Sequence, residues 1–140
     1  MRIHIVARGK IGRGSESELV ERYLKRLSWP VKITELPDRG GAMPPAEAGT
    51  IAIVLDENGE DLRSVALAGK IGAWRDAGAR ELRFLIGGAD GLAPDARASA
   101  DLVLSFGRAT WPHLLARAML AEQLWRAASI LANHPYHREG

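Results

Sequence analysis

A chain of 140 residues, 46% of them hydrophobic and 26% charged, carries enough apolar mass for one folded domain over residues 1–140. It has no cysteine, which excludes disulfides and thiolate metal sites, and its net charge of +2 with a pI of about 9.3 is compatible with nucleic acid without requiring it. The opening MRIHIVARGK is broken by His4 and followed by Arg8 and Lys10, unlike a signal or transit peptide, and no apolar run approaches the ~20 residues of a membrane span, so a cytoplasmic protein is expected.

Residues 2–7 (RIHIVA) read as a strand. Residues 15–28 read as a helix, with Ser15 and Glu18 as a capping box and Leu19, Tyr23, Leu24 and Leu27 on one face. Residues 31–36 (VKITEL) alternate like a half-exposed strand, and the Pro- and Gly-rich stretch at 37–49 is a loop. The continuously apolar TIAIVLD at 50–56 is a strand covered on both faces, with DENGED leaving it as a loop. A helix follows over 64–77, with Leu67, Ile71 and Trp74 on one side and Gly78 as its stop. ELRFLIGG at 81–88 is a strand ending in paired glycines, APDARASA a short helix with Pro94 in its first turn, and DLVLSFG at 101–107 the last strand. A long helix from His113 to Leu131 is apolar nearly all round.

This alternation describes an α/β fold with a mostly parallel sheet and helices on both faces. The last helix has more apolar surface than one sheet face can cover, which points to a subunit interface, with Leu120 and Leu124 expected in it. Ligands of open α/β sheets lie beyond the carboxyl ends of the strands, where DENGED, GGADGLAP and GRATWPH emerge. Gly87 and Gly88 allow close backbone approach and Gly91 allows positive φ, in the service either of a small-molecule pocket or of tight turns. Neither G-x-G-x-x-G after the first strand nor G-x-x-x-x-G-K-[ST] anywhere is present, so NAD and ATP are not indicated.

His113 opens the last helix behind Pro112, where the positive helix end favours a neutral imidazole able to accept a proton; a capping or packing role fits the spacing equally well. His134 and His137 flank Pro135–Tyr136 without an evident third ligand, so no metal is expected, and His4 in mid-strand reads as structural. Arg8, Lys10 and Arg13, with Arg22, Lys25 and Arg26 on the first helix, could form an RNA-backbone surface or a solvated charged face.

With LIGGADGL, ATWPHLLAR and the terminal NHPYHRE in order, the chain resembles the RlmH family. These are bacterial large-subunit ribosomal RNA pseudouridine N3-methyltransferases of the SPOUT class. The resemblance runs from the first strand to the last residue, except that residues 37–49 are shorter than the family pattern, which usually has a helical insertion there. It implies a C-terminal trefoil knot, a homodimer, S-adenosylmethionine as cofactor, and 23S ribosomal RNA, in the large subunit or the assembled ribosome, as substrate. By motif match, Leu55, Gly88, Gly107, Arg108, Ala109, Thr110, Trp111 and Pro112 line the cofactor site, Arg108 and Trp111 through backbone because the family carries smaller or aliphatic residues there. The catalytic candidates are His113 as base, Arg138 as oxygen or phosphate partner, and Tyr136 on the acceptor base, the tail closing over the cofactor from the partner subunit. Two alternatives share the fold: a non-catalytic ribosome-associated factor, and a methyltransferase for another RNA base.

Overall fold

The computed structural model describes residues 1–88 and 91–138. Among these residues, β1 (Arg2–Arg8), β2 (Val31–Leu36), β3 (Thr50–Asp61), β4 (Glu81–Ile86) and β5 (Leu102–Ser105) form one sheet. The strand order is β2-β1-β4-β3-β5, and every adjacent pair is parallel. The helices are α1 (Ser15–Leu24), α2 (Ser64–Asp76), α3 (Pro94–Ala98) and α4 (His113–Leu131). This is the parallel α/β architecture that the alternation of runs and stripes predicts.

The two faces of the sheet are covered very differently. On one, Ile3, Ile5, Ile53, Phe84 and Leu104 pack under Leu67 and Ile71 of α2 and Leu120 and Leu124 of α4. Burial of such side chains, each contributing about 1.5–3 kcal/mol, makes this the main core. On the other, Val6, Val54 and Leu85 meet only the short α3 and its flanks. The rest of that face carries buried His4, Glu81 and Arg83, a costly arrangement unless each is partnered. Arg83 donates to the carbonyls of Pro44 (2.7 Å) and Pro45 (3.0 Å), and it pairs with Glu81 at 3.2 Å. The Pro-rich segment 37–49 is thereby held on the sheet by its backbone oxygens. His4 Nε2 lies 2.7 Å from Thr34 Oγ1, and burial pulls its pKa below the ordinary value despite the nearby Glu81 carboxylate. Its structural role is the one expected from its place in the strand.

Four expectations need correction. Ser15 and Glu18 form no capping box: the helix is capped by Gly14 in extended conformation, without a side-chain bond. It also stops at Leu24, because the amides of Arg26 and Leu27 fall back to three-residue turns on Tyr23 and Leu24. β3 does not end at residue 56. After an excursion at 56–59 the chain returns, and Glu60 and Asp61 pair with Leu104 and Ser105. The return needs Gly59, where a Cβ would stand 2.6 Å from the Val103 carbonyl oxygen.

The fourth correction concerns Leu120 and Leu124, which are 0% exposed within the subunit and belong to its core. A helical stripe records that a face is covered, not by what. Leu124→Asp is therefore expected to unfold the subunit, losing several kcal/mol from a domain whose whole stability is about 5–15 kcal/mol. Circular dichroism and thermal melting check this; a folded monomer would return Leu124 to an interface.

Candidate active site

A cleft of about 650 Å³ opens beyond the carboxyl ends of β3, β4 and β5. Its floor is apolar and in register, since Leu55 pairs with both Ile86 and Leu104. One wall comes from the chain between Phe106 and His113, another from Gly87, Gly88, Gly91 and Leu92, and a third from the excursion of β3 at Asp56, Glu57 and Asn58.

Local chemistry fixes each wall. Gly107 has φ +104°, and its amide donates to Ser105 Oγ at 3.1 Å, bending the chain sharply after β5. Thr110 Oγ1 donates to Glu57 Oε2 at 2.8 Å, and the Trp111 indole N–H to the Phe106 carbonyl at 3.2 Å. These bonds staple the 106–112 loop to the excursion and to itself. Gly87 answers the choice between pocket and turn with both. A Cβ there would stand 2.7 Å from the Gly91 carbonyl carbon, so the tight Gly88–Gly91 turn requires it, and both glycines also line the cleft. Ala89 and Asp90 of the GGAD stretch lie outside the described residues.

Of the expected cofactor residues, Leu55, Gly88, Gly107, Ala109, Thr110, Trp111 and Pro112 line this one cleft, whereas Arg108 is not on its surface. His113, half-buried at the first turn of α4, lines it too. A Cβ on Gly9 would lie 3.7 Å from His113 Nε2 and 3.1 Å from Asp38 Oδ1, so the end of β1 and the start of the Pro-rich segment border the same corner. Sequence reasoning passed over Glu57 and Asp38, because their partners lie 53 residues away in one case and across two loops in the other.

The tail is elsewhere. Asn133 adopts φ +57° after α4, and the His134 amide returns to the Ser129 carbonyl at 2.8 Å. Trp125 then takes His134 and Tyr136 against its ring at 5.6 and 5.8 Å. The Tyr136 hydroxyl lies 3.3 Å from Glu122 Oε1 and its ring 5.0 Å from the Arg126 guanidinium, which also meets His137 Nδ1 at 3.0 Å. Burial, then the Glu122 charge, push the phenol's pKa up, so Tyr136 remains a neutral donor. Glu122 lies nine residues beyond His113 on the same helix, roughly 14 Å at 1.5 Å per residue. The subunit alone thus does not bring Tyr136 to His113, and Arg138, two residues further on, is exposed. Glu139 and Gly140 lie outside the described residues.

Of the basic residues, Arg8 is turned inward, donating to the carbonyls of Pro37 (3.0 Å) and Gly40. Lys10, Arg13, Arg22, Lys25 and Arg26 are exposed. Among the described residues no helix is long and apolar enough to cross a membrane.

Known proteins sharpen this picture. Solved structures of a probable methyltransferase from Bordetella pertussis (TM-score 0.59, 11% identity, 91% of this chain and 96% of that one) and a probable methylase family protein from Haemophilus influenzae (TM-score 0.56, 11% identity, 98% and 70%) share the fold. Ribosomal RNA large subunit methyltransferase H of Rhizorhabdus wittichii is 66% identical over 140 residues, all of both chains, so it is as short as this one. The protein of that name from Sphingopyxis alaskensis is 64% identical over 100% of this chain and 99% of its own, and that of Paramagnetospirillum magneticum 47% identical over 99% of each. A family model described as "Predicted SPOUT methyltransferase" matches residues 1–137. The chain belongs to the SPOUT methyltransferase family, and within it to the large-subunit ribosomal RNA methyltransferase H group.

Proposed function

We propose that this protein methylates N3 of a pseudouridine in 23S ribosomal RNA, using S-adenosylmethionine, in the cytoplasm. The observation that carries the reading is one cleft at the carboxyl edge of a parallel sheet, built from three separate segments and bordered by His113, in a chain 66% identical to a named ribosomal RNA methyltransferase. Family membership implies the C-terminal knot as well.

The residues present fit the cofactor. The cleft lies in the size range of small-molecule sites. Its apolar floor at Leu55 and Ile86 suits a methionine chain and an adenine ring, while the amides and carbonyls of the bordering stretch 108–111 are of the kind that suits their polar edges. At Gly107 no atom lies within 4 Å of where a Cβ would be, so the backbone offers an open cradle. Bound there, S-adenosylmethionine supplies a methyl group made electrophilic by its sulfonium sulfur.

The chain's own residues then have three tasks. N3 of pseudouridine lies between two carbonyls and is a poor nucleophile until its proton leaves. His113, at the cleft border, is the group assigned to accept that proton at an imidazole nitrogen. Tyr136 and Arg138 are assigned to hold the acceptor base and its developing oxygen charge. Because each subunit's tail lies along its own α4 away from its own cleft, they act in the cleft of a second copy.

A homodimer is supported by a second groove of about 450 Å³ bounded by α1, α4, the start of α2 and the end of β5, with Leu19, Tyr23, Leu115 and Met119 half-buried along it. Glu122, the tail's anchor, lines the same groove. Met119→Arg is expected to give a folded monomer without methyl transfer, in contrast to unfolded Leu124→Asp. Light scattering beside circular dichroism separates the two, and an active Met119→Arg dimer would move the interface elsewhere.

The central test is calorimetric titration of S-adenosylmethionine into the purified protein, followed by tritiated methyl transfer to ribosomes lacking the modification. One site per subunit and label at N3 of a pseudouridine are expected. Absence of both binding and transfer would overturn the reading.

A further inference from the structure

Arg117, in the second turn of α4, is the bulkiest side chain that the fold buries completely, with 1% exposure. A guanidinium does not shed its proton to escape burial, so it stays there only with strong compensating partners. It has two, from different strand ends. Glu35 Oε2 near the end of β2 lies 2.5 Å from Nη1, and the Gly9 carbonyl just past β1 lies 3.2 Å from Nη2. The same Glu35 oxygen accepts the Ile11 amide at 2.8 Å. One ion pair, buried at its arginine and open to solvent at its carboxylate, therefore ties Gly9 and Ile11 of the short turn 9–12 to α4.

Besides this pair, the turn is held by the Gly9 amide on the Leu36 carbonyl at 2.8 Å and by Ile11 packed beside Val20, Ala118 and Ala121. It belongs to no helix or strand, and Gly9 and Gly12 flank it at φ +85° and +69°. Its place is nonetheless critical, because a Cβ on Gly9 would stand 3.1 Å from Asp38 Oδ1 and 3.7 Å from His113 Nε2, so the turn runs close by both. A Cβ on Gly88 of the cleft wall would stand 3.2 Å from Cβ of Arg8, the residue preceding the turn. In the strand order β1 lies beyond β4, away from β3 and β5, whose loops form the cradle assigned to the cofactor. The turn thus borders the cleft on the side left for the acceptor, with exposed Lys10 and Arg13 following it outward.

We propose that Arg117 and Glu35 are positioning residues: they hold the 9–12 turn against the start of α4 as the wall on which the RNA base is presented beside His113. This rests on the methyl-transfer reading above. Burial alone would raise the Glu35 pKa, but the bonds from Arg117 and Ile11 and the positive charge of Arg117 outweigh it and hold the carboxyl below the ordinary glutamate range. The clamp is accordingly charged at neutral pH.

The test is Glu35→Gln in the full-length chain, which keeps the shape and one acceptor for Ile11 while removing the charge opposite Arg117. Binding of S-adenosylmethionine, by calorimetry, is expected to keep its stoichiometry and to change affinity less than about threefold. At saturating ribosomes kcat is expected to fall about ten- to hundredfold, since misplacement of a reacting group by about an ångström has that effect. Glu35→Asp, which keeps the charge on a shorter arm, should recover part of kcat, and it takes over as the test variant if Glu35→Gln does not fold. Wild-type kcat in the folded variant, or a fall in cofactor binding parallel to the fall in kcat, would overturn the proposal. A wild-type protein that transfers no methyl group would instead remove the functional reading on which it rests.

Discussion

Removing residues 136–140 is expected to abolish methyl transfer to ribosomes while leaving a folded protein that still binds S-adenosylmethionine. The deletion takes away Tyr136 and Arg138 but no strand and no residue of the main core. It costs some stability, because Tyr136 lies against Trp125 and under Arg126. Such ring and cation contacts contribute about 0.5–1.5 kcal/mol each, a drop of several degrees in Tm. Arg138→Ala alone should lower kcat/KM roughly ten- to hundredfold, since a charge-assisted bond strengthening in the transition state contributes about 1.5–3 kcal/mol. Arg138→Lys should recover only part, lacking the planar two-point contact. The measurement is tritiated methyl transfer with a thermal melt alongside. Full activity in the truncated chain would confine the catalytic assignment to His113 and the cleft loops.

Gly107→Val is expected to remove cofactor binding without unfolding the chain. At φ +104° a β-branched residue is strained by about 1–3 kcal/mol, and Gly107 lines the cleft, so the strain falls on the wall assigned to the cofactor. Gly78→Ala is the control for strain alone: φ is +92°, the surroundings are equally open, and the position stops α2 far from the cleft. Calorimetry should find at least a tenfold weaker affinity in Gly107→Val and none of that loss in Gly78→Ala. Equal affinities in wild type and Gly107→Val would take this loop out of the cofactor site. The two defects can also be combined. Refolding truncated and Gly107→Val chains together should restore about a quarter of wild-type activity, because half the dimers pair one intact cleft with one intact tail. No restoration would argue against a tail that acts in the other subunit's cleft.

How much of this was legible beforehand follows from where each signal resides. β2 and α4 begin and end where the sequence places them, because Pro30 and Pro112 punctuate the chain locally. The cleft loops were found for the same reason, as strands ending in glycines. The return of β3 was not, since Glu60 and Asp61 are polar and their pairing with β5 is visible only across more than forty residues. Leu120 and Leu124 read correctly as covered and wrongly as covered by another subunit, because periodicity names a face and not its neighbour. The clamp of Arg117 and Glu35 joins residues 82 apart, and each alone looks like an ordinary surface charge. The tail displayed its chemistry plainly, but not its resting place along α4.

The Pro-rich cover of the second sheet face has a consequence for how this chain can change. Arg83 grips the carbonyls of Pro44 and Pro45, groups that every residue type possesses. As far as this grip goes, the side chains at 44 and 45 are therefore exchangeable, whereas Asp38 and the positive-φ Gly40, Gly41 and Gly49 of the same segment are fixed by their own surroundings. Change in the cover can thus be absorbed around residues 44 and 45, and the residue that secures this freedom is a buried arginine in the middle of the sheet.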